Sequence, residues 1–229
     1  MEHWSEESAM YGERDELADC GSGASQRVYL GIMRDLELRR MVPGQRLVET
    51  DLAQRYSVGR NAVREAIQRL SGRGIIDLSP NRSPAIRMLD SAETSQILDV
   101  ASIMTGLVAR TAAAAFMTTN HADILAESVA RLDQLDPSSD LIAFGRARRG
   151  FYRVLLRIGA NRELQRLFPS IGMHIIYSQF QSYDLLLTRL ADYRKIADAV
   201  AAGNAEDAES EARSHVDHVR EFISRNGHF

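Results

Sequence analysis

Cysteine is almost absent from this chain, and so are long apolar runs. Cys20 is the only cysteine among 229 residues, so no intrachain disulfide can form, as is usual in a reducing cytoplasm. No stretch approaches the roughly 20 apolar residues that a membrane-spanning helix needs, and the first residues lack the basic start and apolar centre of a signal peptide. We therefore expect a cytoplasmic protein without a membrane partner.

The motifs of several common enzyme classes are missing as well. The sequence has no phosphate-binding glycine loop, no HExxH metal motif and no GxSxG nucleophile elbow. No serine or cysteine nucleophile stands beside a candidate base. We therefore expect no catalytic residues, no enzyme activity and no cofactor.

Charge is unevenly distributed along the chain, although the net charge is only −3. Residues 1–24 contain seven acidic residues and a single arginine, which indicates a disordered acidic tail. Residues 25–90 contain 12 arginines and seven acidic residues, a balance of +5. A basic module inside a mildly acidic chain is typical of a phosphate-binding surface.

Two short helical patterns joined by a tight turn lie within residues 47–75. The first is predicted over 49–56 and the second over 60–70, with Gly59 in the turn at the positive φ that a tight connection requires. In a helix-turn-helix, the first residues of the second helix approach base edges, where arginine suits guanine and asparagine suits adenine. The exposed face of the second helix is therefore predicted to bind DNA through Arg60, Asn61, Arg64 and Gln68.

A further helix and a β-hairpin flank these two patterns. Apolar residues over 28–41 predict a helix that ends before Pro43, and residues 75–78 and 85–88 predict two short strands. Three helices and a hairpin together make a winged helix-turn-helix domain over 25–90. The remaining predicted DNA contacts are the wing residues Asn81 and Arg82 and the phosphate candidates Arg27 and Arg46.

Residues 57–67 read SVGRNAVREAI. They resemble a segment that is typical of the GntR family of bacterial transcription regulators, whose members carry a sequence close to LGVSRTPVREAL. The match includes both arginines and the VREA core, whereas Gly59 stands for the usual Ser and Asn61-Ala62 for the usual Thr-Pro. The resemblance extends over roughly 25–90 and implies double-stranded DNA as a partner, with base or phosphate contacts from Arg60 and Arg64. The alternative is that these arginines form only a solvated helix face.

From residue 91 onward the strand patterns disappear and apolar residues recur at helical spacing. Gly203 and Asn204 are a helix stop and start pair. We therefore predict an all-α second domain over 91–229, and a mainly α fold for the whole chain. The predicted helices run over 92–117, 122–135, 140–158, 162–168, 171–187, 189–202 and 205–225.

The segments FYRVLLRIGANREL and YRKIADAVAAGNAEDAESEARSHVDHV resemble the C-terminal ligand-binding domain of the FadR subfamily, the FCD domain. Many members bind a metal through an Asp and a His four residues apart on one helix and through two later histidines. A guanidinium has no free lone pair and a phenol is a poor ligand, so we expect no metal here. The residues at the four ligand positions of the family are Arg148, Tyr152, Tyr193 and His215.

By this resemblance, the four residues converge on an effector site. Arg148 in the place of the metal could hold a carboxylate in a bidentate pair, with the tyrosines and His215 completing the hydrogen bonds. A solvated or internally paired Arg148, and tyrosines that only fill the core, remain alternatives. An Arg and a Glu usual in the subfamily align with Ala101 and Thr105, which indicates a changed ligand. Secondary candidates for effector binding are Ser102, Thr105, His174, Ser178 and Gln181.

These features together predict a homodimeric repressor. Two winged helices would bind a short palindromic operator, and a small organic acid in the helical domain would shift their placement about a hinge at residues 89–93. One alternative is a constitutive DNA-binding regulator with a degenerate pocket. The other is an enzyme domain fused to a DNA-binding module, which turnover of a bound ligand would reveal.

Overall fold

The computed structural model describes residues 23–78, 83–116, 119–136 and 141–226, and the chain divides into two compact units, 1–86 and 87–229. Within the described residues the fold is helical apart from one small hairpin. This architecture confirms the predicted mainly α fold class with an N-terminal winged helix-turn-helix. Except for its last two residues, the acidic segment 1–24 lies outside the described residues.

The first unit consists of three helices and the hairpin. Strand β1, Ile76–Asp77, pairs antiparallel with β2, Ala85–Ile86, with Ile76 opposite Ile86. The helices bury Val28, Ile32, Val63, Ala66 and Leu70 completely. Their bounds are Gly23–Glu37 for α1, Glu49–Arg55 for α2 and Arg60–Gly72 for α3.

The turn between α2 and α3 differs from the prediction. Ser57, not Gly59, takes the positive φ, at 52°, whereas Gly59 has φ −76° and ψ 154°. Ser57 follows the C-cap of α2, and the N–H groups of Ser57 and Val58 bond back to carbonyls of that helix, as in a Schellman motif. Gly59 is the N-cap of α3 and must be extended there, so the prediction for Gly59 was wrong.

Tyr56 holds α2 against α1. Its hydroxyl donates to Asp35 Oδ2 at 2.7 Å, and Arg55 pairs with the same oxygen at 2.8 Å. The ring lies directly over Gly31, where an added Cβ would come within 2.3 Å of a ring carbon. Glycine is therefore the residue that lets the two helices approach this closely.

The second unit is an all-helical bundle around α4, which packs on α6, α9 and α10. Its core combines small residues of α4, such as Ala109 and Ala112, with Phe151, Leu155 and Tyr193. The helices are α4 Ser91–Ala114, α5 Thr119–Asp133, α6 Leu141–Gly159, α7 Arg162–Leu167, a 3₁₀ turn Phe168–Ser170, α8 Met173–Gln179, α9 Tyr183–Ala201 and α10 Ala205–Asn226.

Helix α4 begins at a capping box and has one uncovered apolar side. Asp90 accepts from Glu93 N–H at 2.8 Å while Glu93 bonds back to the Asp90 backbone, so the predicted hinge at 89–93 falls largely on an ordered helix start. By length and composition α4 could cross a membrane, but 44% of its most apolar stretch is buried against the other helices. On its outer face Val100, Ile103 and Leu107 remain exposed.

The break before α9 also differs from the prediction. The chain leaves helical geometry at Phe180–Ser182, and α9 then continues without interruption through Thr188, where a helix boundary was predicted. Ser182 starts α9 by accepting from Leu185 N–H at 3.1 Å, and no glycine or proline marks the place. The predicted stop at Gly203, with φ 70°, and start at Asn204 are confirmed.

Candidate DNA interface and effector site

The outer face of α3 carries three polar side chains without a hydrogen-bond partner among the described residues. Arg60, Asn61 and Gln68 are exposed and form no hydrogen bond or ion pair with any other described residue. Because the opposite face is buried, these groups point away from the unit's core. Their donors and acceptors are therefore free for an external partner.

Arg64 is held differently. Its Nε lies 2.9 Å and 3.1 Å from the two carboxylate oxygens of Glu49 at the start of α2, and the arginine side chain is 62% exposed. This ion pair links the two helices of the motif and fixes the stem of Arg64. The terminal nitrogens of the guanidinium form no bond with the described residues.

The other predicted DNA contacts lie around the hairpin and the first helix. Arg27 on α1 is exposed, and so is Arg46, which forms an isolated bridge with Ala85 of β2. The wing residues Asn81 and Arg82 lie outside the described residues, so their predicted contacts stay predictions.

In the second unit, the structure brings the four predicted effector residues into one neighbourhood. The ring centroids of Tyr152 and Tyr193 are 5.9 Å apart, and those of Tyr193 and His215 are 4.9 Å apart. The Arg148 guanidinium lies 4.7 Å from the ring centroid of Tyr177 on α8. Residues from α6, α8, α9 and α10 therefore meet in the core of the bundle.

A second arginine, absent from the sequence prediction, lies at the centre of this cluster. The Arg189 side chain is 4% exposed, its guanidinium lies 3.7 Å from the Tyr177 ring centroid, and it donates to the Tyr193 hydroxyl at 3.2 Å. Its guanidinium also lies 4.7 Å from the centroid of Phe144. No carboxylate of the described chain lies within ion-pair distance of Arg189 or Arg148.

The signal that could have revealed Arg189 is its place on the buried face of α9, and the misplaced helix boundary weakened it. The predicted helix 189–202 contains the residues that share this face, but it makes Arg189 a terminal residue, and a charged side chain there is usually exposed. On the observed α9, Arg189, Asp192, Tyr193 and Ile196 follow the i, i+3, i+4, i+7 spacing of one buried face. Tyr177 was missed because residues 171–187 were interpreted as one long helix.

Asp192 joins the two histidines of α10. His215 Nδ1 lies 3.1 Å from Asp192 Oδ2, and His218 Nδ1 lies 3.0 Å from Oδ1. Burial alone would raise the pKa of Asp192, but the hydrogen bonds from the two histidines outweigh it and hold the pKa below its ordinary value. Asp192 is thus an ionised acceptor within the bundle.

Around Tyr177, Arg148 and Arg189 are the cations, whereas His215 and the two buried tyrosines are neutral. Burial lowers the pKa of His215; the bond to Asp192 opposes this, and the nearby arginines lower it again, so the ring is neutral. Burial raises the pKa of Tyr152 and of Tyr193, which keeps both hydroxyls protonated. Two guanidinium charges therefore lie among neutral rings, and the ionised Asp192 bonds to the two histidines rather than to either arginine.

The residues at the family's metal positions do not fit a divalent cation. Arg148 is itself a cation, the two tyrosines are protonated phenols, and His215 alone is an ordinary metal ligand. Over the ranges that the structure describes, no group of three His, Cys, Asp or Glu side chains could hold an ion. The donor set suits an anion.

The secondary candidates are less well placed. The Thr105 hydroxyl donates to Ala101 O at 2.7 Å and that of Ser178 donates to Ile175 O at 2.9 Å, so both use their proton within their own helix. The other three, Ser102, His174 and Gln181, are half-buried. Their part in effector binding stays a prediction.

Comparisons with known proteins agree with both units. The gntR family model of bacterial regulatory proteins matches residues 24–86, and the FCD domain model matches residues 96–218. The chain is 25% identical over 187 residues to a probable D-xylose utilization operon transcriptional repressor of Paenarthrobacter nicotinovorans, covering 81% of this chain and 82% of that protein. It is 24% identical to the uncharacterized HTH-type transcriptional regulator YdhC of Bacillus subtilis (strain 168), covering 82% and 88%.

Solved structures share the fold. E. coli McbR/YncC superposes with a TM-score of 0.72 at 16% identity, covering 90% of this chain and 99% of that one. A putative transcriptional regulator GntR from Rhodococcus sp. RHA1 gives a TM-score of 0.72 at 21% identity, covering 88% and 98%. With the two family models matching in this order along the chain, the protein belongs to the GntR family of transcriptional regulators and carries the FCD domain of the FadR subfamily.

Proposed function

We propose that this regulator is a cytoplasmic repressor that binds a short palindromic operator as a homodimer and responds to a small organic acid held in its helical unit. The observation that carries the effector assignment is the buried, unpaired guanidinium of Arg189. A buried charge without a counter-ion costs several kcal/mol, on the order of 3–5 when a partner is missing. A bound carboxylate would supply that counter-ion.

Arg148 supports the same assignment. Its guanidinium and that of Arg189 both lie over Tyr177, which brings two cations close to one ring. Both lack a carboxylate partner in the described chain, and arginine pairs with carboxylates through two parallel hydrogen bonds. An anion between them would offset their mutual repulsion.

The exposed face of α3 supports the DNA-binding part. Arg60, Asn61 and Gln68 offer free hydrogen-bonding groups on the helix that enters the major groove in proteins of this motif. The basic balance of residues 25–90 favours approach to phosphate.

The apolar side of α4 supports a homodimer. Val100, Ile103 and Leu107 lie one helical turn apart and stay exposed, with Ile103 at 57%. Two copies related by a two-fold axis would cover the same stripe on each other, and a two-fold dimer matches a palindromic operator.

Helix α8 offers a physical link between the effector site and the start of the second unit. It carries Tyr177, on which both arginines lie, and its last residue Gln179 binds the backbone of Leu89 twice. Leu89 N–H donates to Gln179 Oε1 at 3.0 Å, and Gln179 Nε2 donates to Leu89 O at 2.8 Å. A ligand that shifts α8 would therefore also shift residue 89, which lies just after the boundary between the units at 86 and 87.

The test is ligand binding and operator binding measured on the same full-length protein. Thermal shifts against a panel of small carboxylic acids come first, because a ligand of the native state raises stability by RT ln(1 + [L]/Kd). Operator DNA selected from random duplexes by the full chain then shows whether the same acid changes DNA affinity. We expect Arg148→Ala and Arg189→Met to lose the acid-dependent shift, and Arg153→Ala, an exposed arginine on the same α6 as Arg148, to keep it.

Other outcomes would contradict the effector assignment. Operator binding that no acid alters would favour a constitutive regulator with a degenerate pocket. Chemical conversion of a bound acid, followed by NMR, would favour an enzyme domain. A shift that persists in both arginine variants would place the ligand elsewhere.

A further inference from the structure

His215 has a buried nitrogen that no group of the described chain satisfies. The side chain is 1% exposed, and its Nε2 has no hydrogen-bond partner. Nδ1 is occupied by Asp192, so Nε2 projects from the other side of the ring. A buried polar atom without a partner costs roughly 1–3 kcal/mol, and such an atom in a binding region indicates a ligand group.

The contact with Asp192 determines what Nε2 can do. An ionised carboxylate only accepts hydrogen bonds, so the proton of the neutral imidazole must be on Nδ1. Nε2 is then a bare lone pair, and it needs a donor. It is thus a buried acceptor without a donor, near Arg148 and Arg189, which only donate.

A simple carboxylate would pair with the two arginines but would leave His215 Nε2 without a donor. Its oxygens accept from the arginines but offer nothing to Nε2. An amino acid offers a donor, yet its ammonium group would be a third positive charge beside two guanidiniums, which repel it. A hydroxyl is a neutral donor and avoids that repulsion.

We propose that the effector is a hydroxycarboxylate, with its carboxylate on Arg148 and Arg189 and its hydroxyl donating to His215 Nε2. This inference rests on the proposed effector function and narrows it from organic acids in general to those with a hydroxyl within reach of the carboxylate. His215 is the residue that distinguishes the two classes.

The experiment is titration calorimetry of the full-length native protein with matched acids. The pairs are malate with succinate, lactate with propionate, and 3-hydroxybutyrate with butyrate, and the amino counterparts are aspartate and alanine. We expect one hydroxy acid to bind about tenfold or more tightly than its deoxy partner, since a lost bond leaves a buried acceptor unpaired. The amino counterpart should bind more weakly than the hydroxy acid.

Two variants locate the effect. His215→Leu should bring the ratio of hydroxy to deoxy affinity close to one while the carboxylate still binds. His218→Leu is the matched control, because His218 contacts the same Asp192 through the same Nδ1 but is 40% exposed, and it should keep the ratio. If His215→Leu fails to fold, the ratio of hydroxy-acid to deoxy-acid affinity measured on the native protein still tests the proposal.

The outcomes separate the two proposals. Equal binding of hydroxy and deoxy acids by the native protein would overturn the hydroxycarboxylate inference and leave the effector site in place. A preference that survives in folded His215→Leu would also overturn it. The absence of binding for every acid would remove the proposed effector function itself.

Discussion

At the residue scale, Gly31 sets how closely the first two helices of the DNA-binding unit approach. Gly31→Ala would push a methyl group into the Tyr56 ring, which Asp35 holds by a 2.7 Å hydrogen bond. Overpacking of this kind costs about 1–3 kcal/mol, so we expect a lower urea midpoint for the first unit and weaker operator binding. The control is Gly72→Ala, where a Cβ meets open space and stability should stay level or rise by up to about 1 kcal/mol. Equal stability of the two variants would show that the Tyr56 ring moves aside.

Three polar residues of α3 are expected to differ in their effect on DNA binding. Arg60→Ala and Asn61→Ala remove side chains that are free in the absence of DNA, and each should weaken operator binding by about 1–3 kcal/mol if it contacts a base. Arg64→Ala should weaken binding and also loosen α2 from α3, because its ion pair with Glu49 is lost. Fluorescence anisotropy over a range of salt concentrations measures these affinities. Arg153→Ala removes the same charge from the second unit and should leave them unchanged, whereas unchanged affinity in Arg60→Ala would contradict the assignment.

Because His215 is neutral in the folded protein, we expect the second unit to lose stability in acid. Its folded pKa lies below the ordinary value near 6.5, so below that pH the unfolded chain binds more protons than the folded one. The stability of this unit should therefore fall as the pH is lowered through about 6.5. Asp192, whose pKa is also lowered, adds a loss only below its unfolded value of about 3.9. Urea unfolding at pH 8, 6.5 and 5 measures the free energy of unfolding, and its dependence on pH should be weaker in His215→Gln. An equal pH dependence in that variant would mean that another group titrates.

At the element scale, the prediction succeeded where apolar periodicity and strong helix signals coincided. The two helices of the DNA-binding motif, the hairpin and the stop at Gly203 all carry such signals. It failed where the hydrogen bonds of a single residue decided the geometry. The Ser182 side chain starts α9 and the backbone N–H of Ser57 helps to end α2, although serine is common in many settings and its type alone predicts neither role.

The candidate site was predicted incompletely for the same reason. Arg148, Tyr152, Tyr193 and His215 came from the resemblance to a family motif, which marks positions along the chain. Arg189 and Tyr177 belong to no motif, and their importance depends on two helices meeting in the bundle. No local pattern of residues 171–189 shows that a ring and a guanidinium will lie 3.7 Å apart.

Helix α8 is expected to pass the effect of the ligand to the start of the second unit. Gln179→Ala removes both hydrogen bonds to Leu89, and we expect effector affinity to change less than about twofold while the effector's influence on operator affinity falls fivefold or more, the lower end of usual allosteric coupling. Parallel titrations of acid and operator DNA measure both quantities. Gln165→Ala is the control, because that glutamine also donates to a backbone carbonyl, Leu156 O, yet lies on α7. Intact coupling in Gln179→Ala would assign the transmission to another contact.

At the scale of the whole molecule, the uncovered stripe of α4 predicts a two-fold dimer. Ile103→Asp would place a charge at the centre of the stripe, so we expect a monomer by light scattering and a large loss of affinity for a palindromic operator, with less effect on a half-site. Leu167→Asp alters an equally apolar, exposed position on α7 and should leave the dimer intact. A dimer that persists in Ile103→Asp would show that another face joins the subunits.

If Arg148 and Arg189 hold the effector as proposed, they would also determine which changes in the cell the regulator senses. A guanidinium keeps its charge over the whole range of cellular pH, and no chelator can remove it. If a site derives its positive charge from a bound metal ion, its occupancy depends on the concentrations of both the ion and the acid. With Arg148 and Arg189 built into the bundle, the proposed site would follow the concentration of the acid alone, and gene control would stay constant through metal scarcity.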